Sequence, residues 1–202
     1  MTIRYVALGD SYTIGEGAKQ SEAWPVLLAT HLQQNSIPVE LVLNPSRTGY
    51  TTEEVITIEL PLYQSSKPGF ATLLIGVNDW VQGVSQERFR DNFAFILEAM
   101  KSELPDKNNL LVITIPDFSA TPNGQRYASG RNISKGIAEF NVIITEEARK
   151  RNLIVVDIYA LSQEMNRDPT LVAKDGLHPS AKEYAIWEAH IYEAALKILN
   201  EQ

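Results

Sequence analysis

The sequence predicts an α/β protein, a parallel sheet whose strands alternate with helices packed on both faces. Three observations carry this. Five short apolar runs recur along the 202 residues, separated by segments whose apolar residues follow the helical period. Most of the runs lack a clean in–out alternation, which is how strands covered on both faces read. No internal repeat, low-complexity tract or linker breaks the pattern, so the length fits one domain over residues 1–202.

The elements follow in order. Strands are expected at 3–8, 39–43, 71–75, 110–115 and 153–157. Between the first two, Trp24, Leu27, Leu28 and Leu32 mark a short amphipathic helix, and a weaker pattern covers 51–60. Phe89, Phe93, Ile96, Leu97 and Met100 form a clear stripe, with Ser85 placed to cap its start. Ile133, Ile137, Phe140, Ile144 and Ala148 form another, and Tyr184, Trp187, Ile191 and Ile198 a third. This alternation implies right-handed crossovers between parallel strands. The segment 116–131 shows no period and is rich in Pro, Gly, Asn and Ser. A loop that long in a compact domain is more often functional than idle.

Composition removes several classes of function. The chain has no cysteine, which excludes disulfides, thiolate metal sites and a cysteine nucleophile. Its net charge of −7, with Lys and Arg scattered, argues against a nucleic-acid partner. The densest basic cluster, Arg149-Lys150-Arg151, stands where a helix should end and suits its dipole. No apolar run reaches the ~18 residues of a membrane span. The N-terminus passes straight into a strand without the apolar stretch of a secretory signal, so a cytoplasmic location is expected unless a leader has been removed.

In sheets of this kind ligands bind beyond the carboxyl ends of the strands. Nucleophilic catalysis by serine needs a base and a group that orients the base. Only three histidines are available. His31 has the helical spacing of Leu27 and Leu28, and His190 lies mid-helix beside Ile191; both read as helix residues. His178 lies in the turn Asp175-Gly176-Leu177-His178-Pro179, ahead of the last helix. Either Pro179 takes the first helical position or Ser180 and Glu183 form a capping box. In both cases His178 stands at a helix mouth. Asp175 precedes it across a glycine, so a tight turn can bring its carboxylate to one ring nitrogen and leave the other to face a serine. A surface turn holding both residues by coincidence is the competing reading.

Ser11 follows the first strand, where a serine is ordinarily a cap or turn residue. Position 13 is Thr13, so the Gly-x-Ser-x-Gly elbow of α/β-hydrolases is missing. An acyl-transfer site also needs donors for the developing oxyanion. The Ser11 amide, Gly49 after the second strand and the Asn78 side chain after the third are the candidates.

Gly9-Asp10-Ser11-Tyr12, Gly49, Gly76-Val77-Asn78-Asp79 and Asp175-Gly176-Leu177-His178-Pro179 together resemble, in the right order, the four blocks of the SGNH (GDSL-type) hydrolases. The resemblance implies a three-layer, flavodoxin-like α/β/α fold with five parallel strands. It also implies Ser11 as nucleophile, His178 as general base and Asp175 as its orienting carboxylate. Ser11 N–H, Gly49 N–H and Asn78 would form the oxyanion hole. Small-molecule carboxylic esters or thioesters are the implied substrates, lysophospholipids and acetylated sugars among them, with no cofactor or metal. Tyr12 stands where leucine is usual, and Val77 where threonine is frequent. The second block supplies Gly49 and little else, and Asp10 and Asp79 read as supports for their turns.

Tyr12, Trp80 and Val81 are expected to give an apolar wall near the nucleophile, with Phe118 and Tyr127 in a cover formed by 116–131. Arg126 and Arg131 either meet an anionic group or are solvated. Two rival functions remain open: an acyltransferase using the same site, and a flavodoxin-like module that binds phosphate or flavin through the 11–16 loop. A metal-dependent phosphoesterase has less support, since histidine and carboxylate meet at ligand spacing only in Asp175 and His178.

Overall fold

A strand segment buried on both faces must be apolar, and β1 (Ile3–Gly9) meets this beyond the exposed Arg4, with Tyr5, Val6, Ala7 and Leu8 all fully buried. The computed structural model describes residues 2–200. After β1 the chain makes one helical turn, α1 (Ser11–Ile14), and then α2 (Trp24–Gln34), which starts with Pro25 where no amide donor is needed. Next comes β2 (Val39–Leu43). A helix in three parts follows: α3 (Thr52–Glu54), a π turn over Val55–Glu59, and α4 (Leu60–Ser66).

Pro61 explains the π turn. Its ring would press on the carbonyl four residues back, and its missing N–H would leave that carbonyl unpaired. A one-residue insertion into the spiral is a common accommodation of such a proline, and here Leu60 N–H bonds to the Val55 carbonyl. The same insertion shifts the apolar period, which is why the helical pattern over 51–60 is weak.

The remaining elements are β3 (Phe70–Leu74), α5 (Val77–Gln82), α6 (Gln86–Glu103), β4 (Leu110–Ile113), α7 (Ile133–Arg149), β5 (Ile154–Val156), α8 (Tyr159–Ser162) and α9 (Ala181–Asn200). The five expected strands are all present, with ends shifted by at most two residues. Ser85 caps α6 through Arg88 N–H at 3.1 Å. At α9, Pro179 lies outside the helix and pairs with Val172 in an isolated antiparallel bridge. The Ser180 hydroxyl accepts the Glu183 N–H at 3.4 Å, but the Glu183 carboxylate turns to Trp187 Nε1 at 2.7 Å, so the capping box is only half made.

The strands are all parallel, in the order β2-β1-β3-β4-β5, the flavodoxin-like arrangement. Helices α2 and α9 pack together, while α4, α6 and α7 form a second helical layer. Phe89 of α6 stacks on Phe140 of α7 with ring centres 4.4 Å apart. The chain leaves β1 toward β2 on one side and returns to β3 on the other. The crevice beyond the ends of β1 and β3 is therefore the switch point of the sheet. Among the described residues no helix is long and apolar enough to cross a membrane.

Candidate active site

Gly9 ends β1 at a close approach: a Cβ there would run into the Leu74 carbonyl and the Thr13 hydroxyl. Asp10 then caps α1, its Oδ1 accepting the Tyr12 N–H at 3.0 Å. Ser11 is the first residue of α1, so its N–H has no carbonyl within the helix to bond.

The Ser11 Oγ lies 3.1 Å from His178 Nε2, and His178 Nδ1 lies 2.7 Å from Asp175 Oδ2. Asp175 Oδ1 in turn accepts the N–H groups of Leu177 at 2.8 Å and His178 at 3.0 Å. Because an ionised carboxylate only accepts, the proton belongs on Nδ1 and the Nε2 lone pair faces the serine hydroxyl. Partial burial pushes the Asp175 carboxyl up, but the two amides and the imidazole outweigh it and hold it below the usual aspartate range. The turn is braced from outside. Asn123, within the 116–131 segment, donates its side-chain amide to the Asp175 carbonyl at 2.6 Å and its N–H to the Gly176 carbonyl at 2.8 Å. Sequence reading gave Asn123 no role.

Gly49 sits on the loop behind β2 with φ +86°, the left-handed region, and no atom lies within 4 Å of the place a Cβ would occupy. Its N–H has no partner among the described residues. The loop is held on both flanks. Asn44 donates to the Thr13 carbonyl at 3.0 Å, and Asn78 donates to the Tyr50 carbonyl at 2.8 Å. Asn78 keeps a second amide hydrogen uncommitted by that bond. Asp79 supports a different turn from the one expected: its two oxygens accept the Thr52 N–H at 3.0 Å and the Thr52 hydroxyl at 2.5 Å, at the start of α3.

Acids crowd the floor of the crevice. Glu59, in the π turn, is fully buried and accepts the Gly9 N–H at 3.0 Å. Its other oxygen and Asp10 Oδ2 have no hydrogen-bond partner among the described residues. Burial pushes the Asp10 carboxyl up to about 8 and the Glu59 carboxyl up to about 9. Burial also raises Asp79, to about 6, against the lowering effect of its Thr52 bonds.

The aromatics expected near the nucleophile, Tyr12, Trp80 and Phe118, are all buried. Tyr12 packs edge-on against His178 at 6.0 Å and Trp187 at 5.9 Å, and Trp80 packs edge-on against Phe118 at 5.9 Å. Arg131 is committed to the protein, lying 4.0 Å over the Trp80 ring and donating to the carbonyls of Trp80 at 2.6 Å and Val81 at 2.9 Å. His31 pairs with Glu188 at 3.0 Å, and His190 bonds the Ile186 carbonyl at 3.0 Å within its own helix. Glu16, given no separate role by the sequence, brings Oε2 within 3.7 Å of His178 Nε2 and accepts the Thr48 hydroxyl. Ligand atoms of Glu16, Asp175 and His178 lie within 4.8 Å of one another, as a metal site would require. Both imidazole nitrogens are, however, already bonded to Ser11 and Asp175.

A serine–histidine–aspartate line at the switch point of a parallel sheet, beside backbone and amide donors, is the geometry of an ester-acting hydrolase. The chain belongs to the GDSL-like Lipase/Acylhydrolase family, whose model matches residues 7–186. It is 24% identical over 173 residues to Thioesterase 1/protease 1/lysophospholipase L1 of Escherichia coli (strain K12), covering 86% of this chain and 74% of that protein. Its fold is similar to the crystal structure of TesA, with a TM-score of 0.76 and 21% identity over 97% of this chain and 99% of that one. The Clostridium thermocellum family 3 carbohydrate esterase superposes with a TM-score of 0.78 at 18% identity, covering 100% of this chain and 98% of the other. The psychrotrophic esterase EstA from Pseudoalteromonas sp., solved inhibited by monoethylphosphonate, gives 0.74 at 20% identity, covering 98% of each chain.

Proposed function

We propose that this chain hydrolyses carboxylic esters or thioesters through an acyl-enzyme on Ser11. The observation that carries the reading is the unbroken hydrogen-bonded line from Ser11 Oγ through His178 to Asp175. As Ser11 Oγ bonds to the substrate carbonyl carbon, its proton passes to His178 Nε2. The imidazolium that forms is stabilised by Asp175 across Nδ1. The carbonyl oxygen, now negative, accepts from the N–H groups of Ser11 and Gly49 and from the Asn78 amide. When the tetrahedral species collapses, the bond to the alcohol or thiol breaks and His178 returns its proton to the leaving atom. Water activated by the same imidazole then releases the acid and restores Ser11.

A chromogenic ester series of rising acyl length, run on wild type and Ser11→Ala with product analysis in added alcohols, tests this reading. Hydrolysis that disappears with Ser11→Ala supports it. Near-normal hydrolysis by a folded Ser11→Ala protein contradicts it, and acyl transfer to the alcohol outrunning hydrolysis would make the enzyme a transferase.

A further inference from the structure

Glu16 is the acidic side chain nearest the nitrogen that must hand a proton to the leaving group. Its Oε2 lies 3.7 Å from His178 Nε2, the nitrogen facing Ser11, whereas Asp175 occupies the opposite side of the ring. The residue is held from several directions. Its N–H donates to the Ser11 carbonyl at 2.9 Å, its carbonyl accepts the Tyr184 hydroxyl at 2.8 Å, and its carboxylate accepts the Thr48 hydroxyl next to Gly49. The carboxylate thus reaches from the nucleophile side of the crevice to the loop behind β2, with its side chain 37% exposed.

A leaving oxygen that takes a proton from Nε2 must come within about 3 Å of it. Substituents a few bonds from that oxygen then pass within roughly 10 Å of the Glu16 carboxylate, about one screening length, where a charge at a partly exposed site is still felt.

We propose that Glu16 is a specificity-determining residue. It favours esters whose alcohol carries a positive charge within a few bonds of the scissile oxygen, and it disfavours alcohols that are anionic there. The proposal rests on the assignment of Ser11 and His178 above. The test uses three aryl acetates of one acyl group: phenyl acetate, its 3-trimethylammonio derivative and its 3-carboxylate. Wild type is expected to favour the cationic over the anionic ester by about tenfold in kcat/KM, relative to their rates of hydroxide hydrolysis. Glu16→Gln should collapse that ratio toward one, and Glu16→Asp should keep most of it. Thr48→Val, which removes the tether but leaves the carboxylate, should keep it as well.

A wild-type ratio near one overturns the proposal without recourse to any variant. So does a ratio that survives Glu16→Gln, or one lost equally in Thr48→Val. Failure of the underlying mechanism looks different: phenyl acetate itself would be hydrolysed equally by wild type and Ser11→Ala.

Discussion

The Asn78 side-chain amide donates to the Tyr50 carbonyl at 2.8 Å, and this bond joins the turn behind β3 to the loop behind β2 that carries Gly49. Two elements far apart in sequence are thereby set against each other at the switch point. Asn78 holds the neighbouring loop and keeps one amide hydrogen uncommitted by that bond, the one assigned to the oxyanion in the proposed mechanism. Asn78→Ala is expected to lower kcat by about a hundred- to a thousandfold, the usual cost of one oxyanion donor. Steady-state kinetics on a small ester check this, with KM changing far less than kcat. A variant within threefold of wild-type kcat would remove Asn78 from the mechanism.

Asp175 fixes the imidazole tautomer. In Asp175→Asn the side-chain oxygen can still accept the Leu177 and His178 amides, but an NH2 group would face Nδ1. The ring proton then moves to Nε2, which can no longer accept from Ser11. At neutral pH kcat should fall by roughly a hundred- to ten-thousandfold, as at triads where this exchange leaves geometry intact. Thermal unfolding measured alongside should show the fold unharmed.

Gly49 is strained for any other residue but not crowded. Gly49→Ala keeps the N–H and meets no atom, so the left-handed φ alone should cost about 1–2 kcal/mol. For a chain of this size that lowers Tm by roughly 2–8 °C. Activity below the new Tm should stay within a few-fold of wild type, because the donor is still present.

The buried acids give stability a definite pH dependence. Asp10 and Glu59 hold their protons in the folded state at pH values where the unfolded chain has lost them. Their contribution is fully present below the ordinary carboxylate range and is lost as pH climbs toward about 8 and about 9. Glu59→Gln keeps an oxygen for the Gly9 N–H and removes one titration. Wild-type Tm should therefore fall between pH 6 and pH 9, and the variant's should fall less, by at least about 3 °C. Differential scanning fluorimetry across that range measures it, and equal slopes would contradict the burial of a neutral Glu59.

What the sequence made legible was set by how local the physics is. The strands and the stripes of α6 and α7 follow from apolar spacing alone, and Ser85 from helix-end chemistry. The meeting of Asp175 and His178 was legible because few histidines compete and a short turn is enough to join the two, while Ser11 stood out only through the four-block resemblance. The π turn stayed hidden, since an inserted residue erases the period that would announce the helix. Asn123, Glu16 and Glu59 stayed hidden for another reason. Each acts on a residue brought near by the fold, and neither spacing nor composition carries that distance. Tyr12, Trp80 and Phe118 follow strand ends as pocket residues would and are also core residues by size, and spacing does not separate the two roles.

The central claim is that Ser11 is the nucleophile. Labelling the protein with a fluorophosphonate and mapping the modified peptide by mass spectrometry tests it most directly. A single stoichiometric adduct on Ser11, formed as esterase activity disappears and absent from Ser11→Ala, is the predicted result. Complete loss of activity with the adduct on another residue, or ester hydrolysis that persists in a protein fully labelled at Ser11, would contradict it.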